Sequence, residues 1–352
     1  MWINNDLYLE DLKEIISDNN INWNKFQNKT FLVSGATGLI GNLIVNTLLY
    51  LNKVKNLKIK VIALVRNEEK ANKIFEEQLK ENLNLEFLFT DICNELKIDK
   101  GIDYIIHSAS QTSSKMFVDM PVETIDVILK GTKNMLEIAK NNKVKDFIFL
   151  STMEVYGRPI TNEKIYENNG TSLSSINVRD CYPLAKLMAE NLCVCYAKEF
   201  NFNTKILRLT QTFGPGVDYN DQRVFAEFAR CVIENKDIIL HTLGDTERNY
   251  LYTADAVRAI YTVLLKGKNS EIYNVSNEET YCSILKMAEL VATECADNKI
   301  NVKIETEENI EKFGYAPTLK MNLSSEKLKT LDWNCNHNLK NMYNRLIKSL
   351  RK

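Results

Sequence analysis

A doubly wound α/β fold with a largely parallel sheet is predicted by three observations. From Thr30 onward, short apolar runs alternate with longer helical segments, and six such runs precede Thr210. Strands separated by helices pair in parallel and are covered on both faces, which is why they read as apolar runs. Finally, three of only 12 glycines fall within seven residues, at Gly35, Gly38 and Gly41, between the first run and the first helix.

Composition sets the outer limits. The chain has 352 residues, 45% of them hydrophobic and 26% charged, which is ample for a core and excludes disorder or a collagen-like repeat. Lys plus Arg number 45 against 46 for Asp plus Glu, so no field steers the protein onto nucleic acid or an anionic membrane, and neither partner is expected. The longest apolar runs, such as 147–150 and 238–240, fall far short of the roughly 20 residues that cross a bilayer. Residues 1–10 carry early acids and no basic stretch leading into an apolar one, so a cytoplasmic protein is expected. The eight cysteines and three histidines are scattered without ligand spacing, which predicts reduced thiols and no metal site.

The elements follow in order. Residues 1–29 form a polar, helical extension, with Leu9, Leu12, Ile15 and Ile16 on one stripe of a helix over 7–16. Strands are expected at 31–33, 59–65, 85–89, 104–107, 147–150 and 205–209. Helices are expected at 39–51, 68–80, 121–141 and 183–200. Together these make a dinucleotide-binding domain over 30–210. Residues 211–352 form mainly a smaller substrate-binding lobe, with helices at 224–234, 254–265 and 283–293 and strands at 238–241 and 271–275.

The segment Ser34-Gly35-Ala36-Thr37-Gly38-Leu39-Ile40-Gly41 sits between a strand and a helix. Glycines there let the turn close and let backbone N–H groups approach a pyrophosphate at a helix N-terminus. The fold is therefore read as Rossmann-type. At the end of the second strand, where an acid would meet the ribose 2′-hydroxyl of NAD, stand Arg66 and Asn67; Arg66 suits a 2′-phosphate, so NADP is favoured over NAD. Asp91, with Ile92 beside it, closes the third strand where it could accept from the adenine amino group, and Ser108, Ala109 and Ser110 follow the fourth on the same edge.

Tyr182 and Lys186 are four apart at a helix start, so they share a face, and Pro183 is tolerated in a first turn. A phenol titrates near 10, too high for a base near neutrality, and an adjacent ammonium would lower it. Thr152, from a neighbouring strand end, could hold the same substrate oxygen. If the chain stays extended past Thr152, Glu154 points with it and Met153 points away. Phe213, Phe225 and Tyr252 are read as core.

These residues resemble the extended short-chain dehydrogenase/reductase family, in its nucleotide-sugar branch, over residues 30–300. GATGLIG is similar to its GxxGxxG, Tyr182 and Lys186 to its YxxxK, and Gly131-Thr132-Lys133-Asn134 to its GTxN. RLTQTFGPG at 208–216 resembles RxxNxYGPG with Gln211 in place of Asn, and Ile128 stands where many members keep Asn. The resemblance implies a tightly bound NADP or NAD, a nucleotide-diphosphate-sugar substrate and a homodimer built on the helices 121–141 and 183–200. It implies substrate contacts at Gln211 and diphosphate contacts at Arg223 and Arg248. Dehydratases and glucuronate decarboxylases of this branch carry Thr-(Asp or Ser)-Glu where this chain has Thr152-Met153-Glu154, whereas epimerases carry small residues. A 4,6-dehydratase-type lyase is the leading expectation, with Glu154 removing the C5 proton. A 4-epimerase, a UDP-glucuronate-decarboxylase-like enzyme and a 4-keto reductase stand as alternatives, and a non-catalytic dinucleotide sensor as a remote one.

Overall fold

Seven parallel strands form the centre of the molecule: β1 (Thr30–Ser34), β2 (Lys60–Val65), β3 (Leu85–Phe89), β4 (Tyr104–His107), β5 (Asp146–Thr152), β6 (Asn203–Leu209) and the strand Glu271–Val275. Their order across the sheet is β3-β2-β1-β4-β5-β6 and then Glu271–Val275. The computed structural model describes residues 6–81, 83–98, 100–111, 114–306 and 318–351; residues 1–5 of the expected extension and 307–317 of the expected second lobe lie outside them.

Alternate residues of a strand face opposite sides of the sheet, so a strand buried on both faces is apolar throughout. Phe31 and Val33 enter one core and Leu32 the other. Ile148 and Leu150 pack with the first core while Phe147 and Phe149 pack with the second. The first core is closed by the helix Leu39–Lys55 and by Thr253–Lys266, through Ile44, Leu48, Ala256 and Ile260. The second is closed by Pro121–Asn142 and Cys181–Phe200, through Leu136, Ala139, Ala189 and Cys193. Each large apolar side chain so buried contributes about 1.5–3 kcal/mol.

Strand order reverses between β1 and β4, with β2 and β3 on one side and β5 and β6 on the other. The crevice outside the carboxyl ends of the strands at such a switch point is where ligands bind in open α/β sheets. The strand Glu271–Val275 pairs in parallel with β6. The sheet layer is therefore discontinuous in sequence, because this strand and the helix before it come from beyond residue 210. The helical pattern over 68–80 breaks into Glu68–Ile74 and Glu76–Lys80, because Phe75 leaves helical geometry as its ring is fully buried. The pattern over 283–293 is an α-helix only over Ile284–Leu290, widening to a π turn at Val291–Cys295.

The N-terminal helix Asp6–Ser17 packs Leu7, Tyr8, Leu12 and Ile15 into the body. Tyr8 donates to Asn42 Oδ1 at 2.7 Å, one turn inside the helix that follows the glycine turn. Asp11, fully buried, accepts from Tyr252 at 2.9 Å and from Arg345 Nη2 at 2.7 Å. Arg258 meets both Asp18 and Asp255 at 2.9 Å. Removing one partner of such a buried pair strands the other and costs about 3–5 kcal/mol, so residues 6–17 are stitched to the C-terminal helix Leu339–Leu350. Among the described residues, no helix is long and apolar enough to cross a membrane and no group of three His, Cys, Asp or Glu could hold a metal ion. All eight cysteines are free thiols, of which only Cys181 and Cys193 are buried.

Candidate active site

The glycine turn begins where β1 ends. Gly35 has φ +70°, and a Cβ there would lie 2.7 Å from Ala109 N. A Cβ at Gly41 would overlap Gly35 O. These two glycines are required by the chain's own close packing. Gly38 is different: its Cβ would meet only Gly35 O, at 3.3 Å. Gly38 is the N-cap of the helix Leu39–Lys55, in extended conformation and with no side chain capping the helix. The first-turn N–H groups of Leu39, Ile40 and Gly41 lack intrahelical partners and lie beside Thr37 at the carboxyl edge of the sheet. That is the cradle a pyrophosphate needs.

Ser34 locks the crevice floor. Its hydroxyl meets His107 Nδ1 at 2.7 Å and accepts from Ala109 N at 3.3 Å, while Ser108 Oγ donates to Ser34 O at 2.6 Å. His107 Nε2 meets Thr132 Oγ1 at 3.1 Å. Burial, with the Lys186 charge adding to it, pushes His107 down to about 3, so this histidine is a neutral strut. Ser110 donates to the neighbouring Gln111 carbonyl at 3.2 Å.

The GTxN segment holds the next loop. A Cβ at Gly131 would come within 3.0 Å of Ile92 Cγ2, and Asn134 Nδ2 donates to the carbonyls of Ile92 and Asn94, each at 2.8 Å. Asp91 Oδ1 accepts from Cys93 N at 2.8 Å, turning the chain after β3. Arg66, 75% exposed, extends toward Asp91 Oδ2 at 3.8 Å. Ile128 is buried in the second core.

The structure brings Thr152, Glu154, Tyr182 and Lys186 together, though not by the local geometry expected. β5 ends at Thr152, and Met153–Tyr156 is a 3-10 turn capped by Thr152, whose Oγ1 accepts from Glu154 N at 3.2 Å. An extended chain through Glu154 is therefore corrected to a capped turn. The turn still sends Met153 inward, among Val155, Leu319, Met321 and Leu323, and leaves Glu154 one-third exposed.

Tyr182 lies on the first turn of Cys181–Phe200, and its ring stacks on Phe117 with centroids 4.2 Å apart and planes 6° apart. Burial raises its phenol well above the ordinary value and the Glu154 charge adds to the rise; a hydrogen bond with Thr152 and the Arg179 and Arg223 charges oppose it. The spacing of Tyr182 and Lys186 assigned that opposing role to Lys186. Here Lys186 Nζ instead donates to Leu150 O at 2.8 Å, over the Phe149 ring, and burial brings its ammonium down to about 8, against the charge of Glu190. Glu190 in turn binds Arg208 through both carboxylate oxygens, at 3.0 and 2.6 Å. Arg208 is thus a buried brace for the helix Cys181–Phe200.

Beyond residue 210, Gln211 Oε1 accepts from Arg248 Nη1 at 3.2 Å. Arg248 Nε is buried with no hydrogen-bond partner among the described residues, a donor available to an anion. Arg223 is paired with Asp221 Oδ2, and its charge is felt at Tyr182. Phe213, Phe225 and Tyr252 are fully buried core, as read from their residue types. Two residues of this site escaped the sequence reading. Phe117 carries no motif, and Arg179, three residues before Tyr182, reads as an ordinary surface charge until the turn before the helix is seen.

Fold and site together define a dinucleotide-binding protein with a Thr/Tyr/Lys constellation at the switch-point crevice. The family model for the NAD dependent epimerase/dehydratase family matches residues 31–276, and the chain belongs to that family. It is 30% identical to a dTDP-D-glucose 4,6-dehydratase of Dictyostelium discoideum over 258 residues, 70% of this chain and 58% of that protein. It is 27% identical to UDP-glucuronic acid decarboxylase 1 of Xenopus tropicalis over 263 residues, 75% of this chain and 59% of that protein. The chain thus spans under two thirds of the length of these curated relatives. The solved structure of UDP-glucose 4-epimerase from Thermotoga maritima superposes with TM-score 0.73 at 21% identity, covering 92% of this chain and 98% of that one, a likeness of fold.

Proposed function

We propose that the protein is a nucleotide-diphosphate-sugar lyase of the 4,6-dehydratase type, working through oxidation at the sugar C4 with a tightly held nicotinamide dinucleotide. The observation that carries this reading is the Glu154 carboxylate held by Arg179 Nη2 at 3.1 Å, with that guanidinium seated over the Phe117 ring on which Tyr182 stacks. The uncapped helix start at Gly38 fits a pyrophosphate. The dinucleotide, when bound, would supply hydride uptake from C4 and its return to C6 after water has left, with a proton added at C5 to complete the 4-keto-6-deoxy sugar.

The chain's own residues do the rest. Thr152 holds the C4 hydroxyl, and Tyr182 takes its proton as general base, its phenolate favoured by Thr152, by the Arg179 and Arg223 charges and, with the dinucleotide bound, by the cationic nicotinamide ring. Once C4 is a ketone, Glu154 removes the C5 proton; the C5–H electron pair moves toward the carbonyl, which acidifies its alpha carbon. Returning that pair expels the 6-hydroxyl, and the proton held by Glu154 leaves with it as water. Met153 has no proton to give and is buried away from the crevice. Gln211, Arg223 and Arg248 hold the substrate, with the spare Arg248 Nε available to the diphosphate.

Met153 also favours a second reading, decarboxylation of a nucleotide-linked uronate, because loss of carbon dioxide from a 4-keto acid needs no acid at C6. One experiment separates them. The purified protein is incubated with dTDP-glucose, UDP-glucose and UDP-glucuronic acid and the products are weighed. Loss of water is expected; loss of carbon dioxide supports the second reading, and products of unchanged mass overturn both in favour of epimerisation.

Arg66, exposed at the end of β2, favours NADP over NAD in this proposal. Titration of both dinucleotides checks it, and NAD binding tighter by about tenfold, roughly 1.4 kcal/mol, removes the role. The protein is further proposed to work in the cytoplasm as a homodimer. Ile125 and Leu129 of the helix Pro121–Asn142, Leu184 and Met188 of Cys181–Phe200, and Val178 line one surface groove with Ile176, which is 93% exposed. A contiguous apolar surface of this kind marks an interface. Ile176→Asp should convert a dimer to monomers in sedimentation, and a wild type that sediments as a monomer ends that assignment.

A further inference from the structure

Glu154 does not stand alone at the crevice. Its Oε2 receives Arg179 Nη2 at 3.1 Å, across 25 residues of sequence. Arg179 belongs to the 3-10 turn Val178–Asp180 that leads into Tyr182, and its side chain is mostly buried, 18% exposed. The guanidinium lies over the Phe117 ring, 4.7 Å from its centroid, and Phe117 is the ring on which Tyr182 stacks. A planar cation on an aromatic face, bonded to a carboxylate, has little rotamer freedom left. The carboxylate it holds sits in a short turn. The backbone of that turn is fixed by the Thr152 cap, by the burial of Met153, Val155 and Tyr156 and by Tyr156 donating to Asn274 Oδ1 at 2.7 Å, and Arg179 adds the hold on the Glu154 carboxylate itself.

We propose that Arg179 is a positioning residue for Glu154: seated on Phe117, it holds the carboxylate beside Tyr182, so that one side chain acts at C4 and the other at C5 of the same sugar. The role presupposes the lyase chemistry above. In the step concerned, the C5–H bond breaks, the proton passes to a Glu154 carboxylate oxygen, and the electron pair is taken up by the C4 carbonyl. Arg179 neither takes nor gives the proton. The guanidinium has a second effect with the same origin. At the Tyr182 phenol, beside the larger effect of burial, the Glu154 charge raises the pKa and the Arg179 and Arg223 charges lower it.

The test uses Arg179→Leu, Arg179→Lys, Glu154→Gln and the double variant Arg179→Leu/Glu154→Gln. Each is incubated in deuterated water with dTDP-glucose, UDP-glucose and UDP-glucuronic acid. Two things are read: nicotinamide absorbance, for oxidation at C4, and deuterium at C5 in recovered sugar. Arg179→Leu should slow C5 exchange by about tenfold or more, as expected when a charged hydrogen bond that orients a base is lost, and slow oxidation at C4 by clearly less, through the loss of one of the two arginine charges that act on Tyr182. Arg179→Lys should restore most of the exchange. The double variant should be no slower than Glu154→Gln alone, because a residue that acts through Glu154 has nothing left to act on. Thermal unfolding and dinucleotide affinity of Arg179→Leu should match the wild type.

Exchange at the wild-type rate in Arg179→Leu overturns the positioning role and leaves the lyase reading standing. So do effects that multiply in the double variant, or a loss of C4 oxidation as large as the loss of exchange, since either means Arg179 acts on the site by another route. A wild type that exchanges C5 on none of the three sugars overturns the lyase reading and this role together.

Discussion

Tyr182→Phe should cut turnover by about 100-fold or more, with the fold and dinucleotide affinity intact. In the proposed reaction the Tyr182 oxygen takes the proton from the C4 alcohol, and Thr152, whose side chain lowers the same phenol, would hold that alcohol. Losing the oxygen leaves the ring, and the ring is what packs: its stacking on Phe117 and the first turn of Cys181–Phe200 need no hydroxyl. Steady-state rates on an accepted nucleotide sugar, with a thermal melt and a dinucleotide titration alongside, check the prediction. Near-normal turnover removes Tyr182 from the acid/base role.

Glu154→Gln should still oxidise C4 and then stall. A C5 proton needs a base, and Glu154 is the only carboxylate between Thr152 and Tyr156. Deuterium from solvent should therefore fail to enter C5, while nicotinamide absorbance still appears. The pH dependence should move as well. Glu154 raises the Tyr182 phenol, so neutralising it lowers that phenol, and the rise in C4 oxidation with increasing pH should shift to lower pH. Normal product formation by the variant ends the 4,6-dehydratase reading and makes a 4-epimerase or reductase the better account. An unmoved or opposite pH shift separates Glu154 from Tyr182 even if turnover falls.

Much of this molecule is determined locally. Periodicity decides which residues can be covered on two faces, so β1 to β6 and the helices between them were readable as runs, and the strand Glu271–Val275 was found at its true bounds. Close backbone approach admits only glycine, so Gly35 and Gly41 declared the turn at the end of β1. Four residues make about one helical turn, so Tyr182 and Lys186 had to share a face. What local rules could not supply is where distant segments meet. The strand Glu271–Val275 was recognised as a strand, yet its place beside β6 depends on sheet closure. Glu154 was expected to face the crevice along an extended chain; a 3-10 turn and buried Met153 put it there instead, since the side chain follows burial of its neighbours once the strand has ended. Arg179 meets Glu154 across 25 residues, and Arg345 meets Asp11 across 334. Such charge pairs carry no periodicity and no spacing of their own. They exist because burial leaves an ion with few partners within reach, and only the assembled fold decides which partner that is.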